Sequence, residues 1–295
     1  LITDFTNHPT LDQQPCRHGT LRFFRHDRFI GRSLAVYGEW AQGEIHWLQS
    51  LLQPGDTVVD AGANVGTHTV PFAQAVGPTG HVHAFEPQAI VADVLRANLV
   101  LNSLPQVKVH TAALGAGSGR VVVPRLPVER ELNLGGVSLG AFGPGEGDEV
   151  PLLPLDGLAL PDCRLIKIDV EGMEGEVLQG ARETLRRCQP VLYVENDRPA
   201  QVRPLLQTIA ELGYRSWWHV ATFFNPDNAR GVRKNVFPDL YAMNLLCLPA
   251  DSAIRPEQHP HYRPNGPMPG ASALQAGTFG LPVLGGEVVF PADAG

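Results

Sequence analysis

Cysteine is scarce: Cys16, Cys163, Cys188 and Cys247 are far apart and show no C-x-x-C spacing. That argues against a disulfide framework or a cysteine zinc site and predicts buried thiols in a reducing, cytoplasmic setting. Long apolar runs are missing as well. Stretches such as 121–123 and 245–248 fall far short of the ~20 residues that a membrane helix needs, so no membrane insertion is expected. The opening residues show no basic end followed by an apolar stretch, and no signal peptide is expected. Positive charge has no surplus, with 23 Lys+Arg against 30 Asp+Glu and a net charge of −7. A stable nucleic-acid binder needs a basic face to displace phosphate counterions, and none is evident. Arg182, Arg186 and Arg187 do cluster, but at a helix C-terminus, where the helix dipole accounts for them. What remains is a chain of 295 residues with 43% hydrophobic content, enough to bury a full core.

The chain divides into three zones. Residues 1–53 read as an N-terminal attachment: short strands at 21–25 and 33–37, then an amphipathic helix over 39–52 with Trp40, Ile45, Trp47, Leu48, Leu51 and Leu52 on its apolar face. Residues 54–248 alternate strand and helix. Strands are predicted at 57–61, 81–86, 107–113, 165–170, 191–195, 214–220 and 241–248. Helices are predicted at 67–76, 89–102, 174–187 and 200–212, with extra strands at 119–123 and 149–153 around a Gly-rich loop. This alternation predicts an α/β fold: a doubly wound, mostly parallel, seven-stranded Rossmann-like sheet whose last two strands form a hairpin. Residues 249–295 are rich in Pro and Gly and read as an irregular tail.

Two motifs sit at neighbouring strand ends. Val58-Val59-Asp60-Ala61-Gly62-Ala63-Asn64-Val65-Gly66 is a strand running into a glycine-rich turn and then a helix, where free N–H groups and bare backbone admit a ligand. About twenty residues on, the next strand ends in Phe85-Glu86-Pro87, placing a carboxylate to accept hydrogen bonds from both hydroxyls of a ribose. Together they fit a nucleoside-containing cofactor. A dinucleotide site needs G-x-G-x-x-G, and Gly62-Ala63-Asn64-Val65-Gly66 does not supply that triplet. Asp60 would sit poorly beside a pyrophosphate and suits the cationic S-adenosylmethionine (SAM), which is favoured over NAD. A third motif, Leu165-Ile166-Lys167-Ile168-Asp169-Val170-Glu171-Gly172-Met173-Glu174, delivers acids to the same carboxyl edge of the sheet.

These pieces resemble the FkbM family of methyltransferases. The likeness is carried by Asp60 to Gly66, Phe85-Glu86-Pro87 with Asn98 and Asn102 downstream, Ala113-Leu114-Gly115, Asn133 to Gly136, Ile166 to Gly172 and Glu195-Asn196, over about residues 35–248. The resemblance implies a class I SAM-binding core and O-methylation of hydroxyls on sugars or small-molecule secondary metabolites. It puts Gly62, Asn64 and Gly66 against the methionine and ribose of SAM, Glu86 on the ribose hydroxyls, Ala113 beside adenine and Asp169 toward the methionine ammonium. Tyr37-Gly38-Glu39-Trp40 resembles the family's entrance segment and would cover the cofactor.

Methyl transfer also requires that the acceptor be aligned and deprotonated. Glu171 is the first choice of base by position, with Glu195 and His219 as alternatives, and Asn133 is placed to orient the acceptor. His219 follows Trp217 and Trp218, so a core histidine is an equal reading. Asp169, Glu195 and Asn196 offer oxygen donors of the kind that suit Mg²⁺. Acids gather at such strand ends for SAM alone, and no metal is expected.

Overall fold

The computed structural model describes residues 8–138, 142–143, 145–238, 240–256 and the strand Val283–Glu287. An antiparallel hairpin opens the chain, β1 (Leu11–Cys16) with β2 (Gly19–Phe24). Two helices follow, α1 (Ile30–Tyr37) and α2 (Gln42–Ser50). The stretch 33–37, expected as a strand, is therefore helical. Ile30, Leu34 and Tyr37 fall on one buried helical face. The Asp27 carboxylate accepts the N–H of Gly31 at 2.8 Å and of Phe29 at 3.4 Å, satisfying donors that a helix start leaves open.

The central sheet is built from β3 (Thr57–Ala61), β4 (His81–Phe85), β5 (Val107–His110), β9 (Leu165–Ile168), β10 (Val191–Glu195), β11 (Tyr214–Thr222), β12 (Tyr241–Pro249) and β13 (Val283–Glu287), in the order β13-β11-β12-β10-β9-β3-β4-β5. The ladders β5-β4-β3-β9-β10 are parallel, and β12 runs antiparallel to both neighbours. The seven strands up to β12 form the expected α/β sheet with one reversed strand. β13 adds an eighth, antiparallel to β11. It lies within the zone read as an irregular tail, where Gly285-Gly286 breaks the apolar pattern. Backbone pairing to the open side of β11 needs no such pattern. Of that zone, the structure describes only 249–256 and 283–287.

Alternation along the strands sorts side chains into two cores. On one face Val58, Leu165, Val191, Trp217 and Leu246 pack with residues of β1, β2, α1, α2, α3 (Thr69–Val76) and α4 (Ala89–Leu101). On the other, Val59, Ile166, Leu192, Trp218 and Leu245 meet α5 (Glu174–Gln179), α6 (Arg182–Cys188) and α7 (Pro199–Glu211). One helix expected over 174–187 is thus two. Gly180 lies against the carbonyl oxygen of Gly115, where a Cβ would collide, and its own carbonyl accepts the Asp156 N–H. Asp156 then caps α6 from outside, accepting from the N–H of Glu183 and Thr184. The strand expected over 107–113 also divides: β6 (Ala113–Leu114) leaves the main sheet to join β7 (Gly119–Pro124) and β8 (Gly147–Leu153) in a small separate one.

The hairpin is bolted to the core by two asparagines of the α4 region. Asn98 takes both the N–H and the C=O of Arg22, at 2.7 and 2.9 Å, and Asn102 takes both from Thr20, at 3.0 and 2.8 Å. Asn98 also donates to the Val65 carbonyl, bracing the glycine turn. Among the described residues, no helix is long and apolar enough to cross a membrane.

Candidate functional site

The carboxyl ends of β3, β4, β9 and β10 open into a cavity of about 300 Å³. At its floor the chain turns through Gly62, with φ of +82°, and Asn64, with φ of +47°. Gly62 lies against the Asp169 carbonyl so closely that any Cβ would collide, which makes glycine obligatory there. Its N–H and that of Ala63 are held by the Phe85 carbonyl at 3.0 and 2.9 Å. Gly62 and Asn64 line the cavity, as expected. Gly66 does not: it packs beneath, against Leu95 of α4, and its role is to let that helix approach.

Glu86 directly follows β4 and is 4% exposed. One carboxylate oxygen accepts the Asn64 N–H at 3.0 Å and the other accepts the Gln88 N–H at 2.9 Å. Each oxygen keeps acceptor capacity toward the cavity. Burial pushes this carboxyl up to about 7, against the pull of those two N–H groups. Farther along, Ala112, Ala113 and Leu114 give the wall an apolar strip.

Asp60 is a correction. It is fully buried and does not line the cavity. The β3–β9 register sets it opposite Lys167, whose Nζ lies 3.5 Å from Asp60 and 3.2 Å from Asp169, and the Thr69 hydroxyl donates to Asp60 at 2.6 Å. Burial alone would lower the proton affinity of Lys167, but Asp169 and Asp60 together raise it above the usual lysine range. Sequence reasoning passed over Lys167. Its signal was a single cation inside the otherwise apolar strand 165–168, set opposite a buried acid. The pair α2 Glu44 and His68, 3.6 Å apart, also lines the cavity and was not foreseen.

Asp169, Glu171 and Glu195 come together, with one carboxylate oxygen from each within 4.8 Å of the others. Glu171 holds a left-handed backbone at φ +58°, its carbonyl accepts the Ser138 hydroxyl at 2.8 Å, and its carboxylate pairs with Arg198. Burial and the neighbouring Asp169 push its carboxyl up to about 7, with Arg198 opposing. Glu195 has a buried oxygen with no hydrogen-bond partner, and burial followed by repulsion from Asp169 and Glu171 raises it well above the carboxylate range. Oxygen donors of this kind could hold a divalent ion, but Lys167 and Arg198 already neutralise two of the three. Asn196, buried, is not among the lining residues.

Asn133 reaches the cavity, although its side-chain oxygen accepts the Gly136 N–H at 3.1 Å, as a turn residue does. His219 is not brought to the cavity. It is 0% exposed, its Nδ1 lies 2.7 Å from the Tyr193 hydroxyl, and its ring meets Trp47. Its even spacing with Trp217 along β11 points it into the sheet's inner face. The mouth is aromatic: Phe29, Trp40 and Phe223 line it, with Trp40 and Phe223 ring centres 4.6 Å apart.

Comparison with known proteins identifies the family. A family model described as the methyltransferase FkbM domain matches residues 60–216. Methyltransferase sdnD of Sordaria araneosa is 31% identical over 185 residues, which are 52% of this chain and 71% of that protein. Among solved structures, methyltransferase FkbM from Methylobacillus flagellatus KT is 15% identical, with 68% of this chain and 50% of that chain covered and a TM-score of 0.41. The O-methyltransferase TomG from Streptomyces achromogenes is 14% identical, with 70% and 78% covered and a TM-score of 0.42. On the family match and the sdnD relative, and with a family whose chemistry implies SAM as cofactor, this chain belongs to the FkbM methyltransferases.

Proposed function

We propose that this protein methylates a hydroxyl oxygen of a sugar or other small-molecule acceptor, with SAM as methyl donor. One observation carries the reading: a buried carboxylate, Glu86, stands beside the Gly62–Asn64 turn with both oxygens backed by backbone N–H groups and acceptor capacity left over. The two adjacent hydroxyls of a ribose make full use of it. Gly62 and Asn64 hold the methionine and ribose portion, Ala113 flanks the base with apolar surface, and Asp169 faces the ammonium. Bound there, SAM supplies an electrophilic methyl group.

This chain's own groups do the rest. The acceptor oxygen would lie on the side of Glu171 and Glu195, where bound SAM would supply its methyl group and leave as S-adenosylhomocysteine. The hydroxyl proton passes to a carboxylate oxygen of Glu171. Glu195, more deeply buried and repelled by its neighbours, keeps its own proton, which leaves Glu171 the charged member of the pair. Arg198 holds the Glu171 carboxylate in place. A carboxyl near 7 is matched to accepting a proton at neutral pH. Asn133 orients the acceptor from the glycine-rich loop.

The experiment is transfer from methyl-labelled SAM to a panel of hydroxylated acceptors, with the product's linkage read by NMR. An O–CH₃ product is expected. Label appearing only on nitrogen or carbon would overturn the proposal.

A further inference from the structure

Resting on that O-methylation reading, we infer that the acceptor is an uncharged ring alcohol, gripped between a preassembled aromatic mouth and a floor whose charges are already paired and offer an ionic group no partner. Position along the sheet separates acceptor from cofactor. The groups assigned to SAM come from the tip of β9 and, on one side of it, from β3, β4 and the segment after β5. Phe223 follows β11, on the opposite side of the sheet, and Phe29 and Trp40 meet it from the N-terminal segment. The Phe223 ring stands 6.2 Å from Phe29 at 66° and 4.6 Å from Trp40 at 38°. Three partly open faces around one entrance suit a flat apolar ring rather than a flexible chain.

This mouth is set before any ligand arrives. Glu39, next to Trp40, is buried and ties the two segments together. Its carboxylate accepts from Arg17 at 2.6 Å, from the Asn225 side chain at 2.8 Å and from the Ala229 N–H at 2.8 Å. The Tyr37 hydroxyl adds a second tie, donating to the Lys234 carbonyl at 2.9 Å and accepting the Val236 N–H at 2.7 Å. Rings held this way lose little freedom on binding.

The charge filter lies beneath. Asp169, Glu171, Glu195 and Asp197 all line the floor. Lys167 is committed to Asp60 and Asp169, and Arg198 to Glu171 and Asp197. No cation is left over there among the described residues to receive a phosphate, sulfonate or carboxylate on the acceptor, so such a group would enter without a counter-charge, and with the acids already paired or protonated an ammonium group gains no partner either.

The test uses the full chain saturated with S-adenosylhomocysteine and titrated by calorimetry. The probes are 2-naphthol, its 6-sulfonate and its 6-aminomethyl derivative. The neutral ring is expected to bind at least about tenfold tighter than the sulfonate and no more weakly than the ammonium form. Trp40→Ala and Phe223→Ala should each weaken naphthol about five- to tenfold, and Phe223→Ala should leave the affinity for S-adenosylhomocysteine within about twofold. The milder Trp40→Phe should recover most of the loss, which a folding defect would not allow. Equal binding of the sulfonate, tighter binding of the ammonium form, no binding of naphthol, or a loss of cofactor affinity in Phe223→Ala would each overturn the inference. Methylation found on nitrogen would sink the O-methylation reading while leaving these binding ratios standing, so the two failures are distinguishable.

Discussion

Replacing Glu86 by Gln changes one atom and should cost the cofactor most of its affinity. The side chain keeps its shape, but one carboxylate oxygen becomes an NH₂. Both oxygens now accept a backbone N–H, from Asn64 and from Gln88, so the new amide must turn a donor toward one of them. It also loses the charge that strengthens both ribose contacts. A hydrogen bond to a charged group contributes about 1.5–3 kcal/mol and one to a neutral group about 0.5–1.5. Losing one charged bond and weakening the other sums to about 2–4 kcal/mol, roughly 30- to 1,000-fold in Kd. The assay is calorimetry with SAM or S-adenosylhomocysteine. A second signature is the pH dependence of the unaltered protein. Its Glu86 carboxyl stands at about 7 before ligand binds, so only the ionised fraction is competent. Affinity should fall about tenfold from pH 8 to pH 6, and this slope should vanish in Glu86→Gln. An unchanged Kd in the variant, or a flat profile in the parent, refutes the ribose assignment.

Lys167→Met should cost about 3–5 kcal/mol of folding stability, because it leaves Asp60 buried without its cation; urea unfolding that shows a loss under about 1 kcal/mol would contradict this. Glu171→Gln should lower kcat by about 10²–10⁴ with SAM affinity preserved, and in the parent kcat/KM should climb with pH to a plateau above about 7; a fully active variant removes Glu171 as the base. Stability without ligand should decline as pH rises from 4.5 through 7. The folded carboxyls of Glu86 and Glu171 bind protons more tightly than the unfolded chain does, so the unfolded state holds fewer protons in that window. Melting curves at pH 5.5 and pH 8 in the absence of SAM read this directly, and a higher Tm at pH 8 would refute it.

The sheet was legible in the sequence because parallel strands buried on both faces announce themselves as short apolar runs, and each of the seven expected strands has a counterpart. Glycine and acid at the tips of β3 and β4 were legible for a similar reason: spacing along two adjacent strands fixes where they meet. What escaped was whatever depends on partners distant in sequence. Asp60 looked like a ligand group until the β3–β9 register set Lys167 opposite it. Residues 33–37 read as extended because Asp27 and Gly31 read as a turn between two strands, whereas the Asp27 carboxylate starts a helix at Ile30. The break at Gly180 follows from its crowding against Gly115, 65 positions earlier, which no local pattern reveals. The aromatic mouth is assembled from residues nearly two hundred positions apart and had no sequence signature.

Asn98 and Asn102 carry a wider consequence. A primary amide has the same donor and acceptor as a peptide group, and two of them one helical turn apart fall into step with alternate residues of an extended chain. α4 therefore impersonates a neighbouring strand for β2. The outer rim of the hairpin is closed off without another length of backbone, and it offers foreign chains nothing to zip onto. The same amides tie the hairpin to the rest of the fold: without it, Asn98 keeps only its bond to the Val65 carbonyl and Asn102 only its bond to the Asn98 carbonyl.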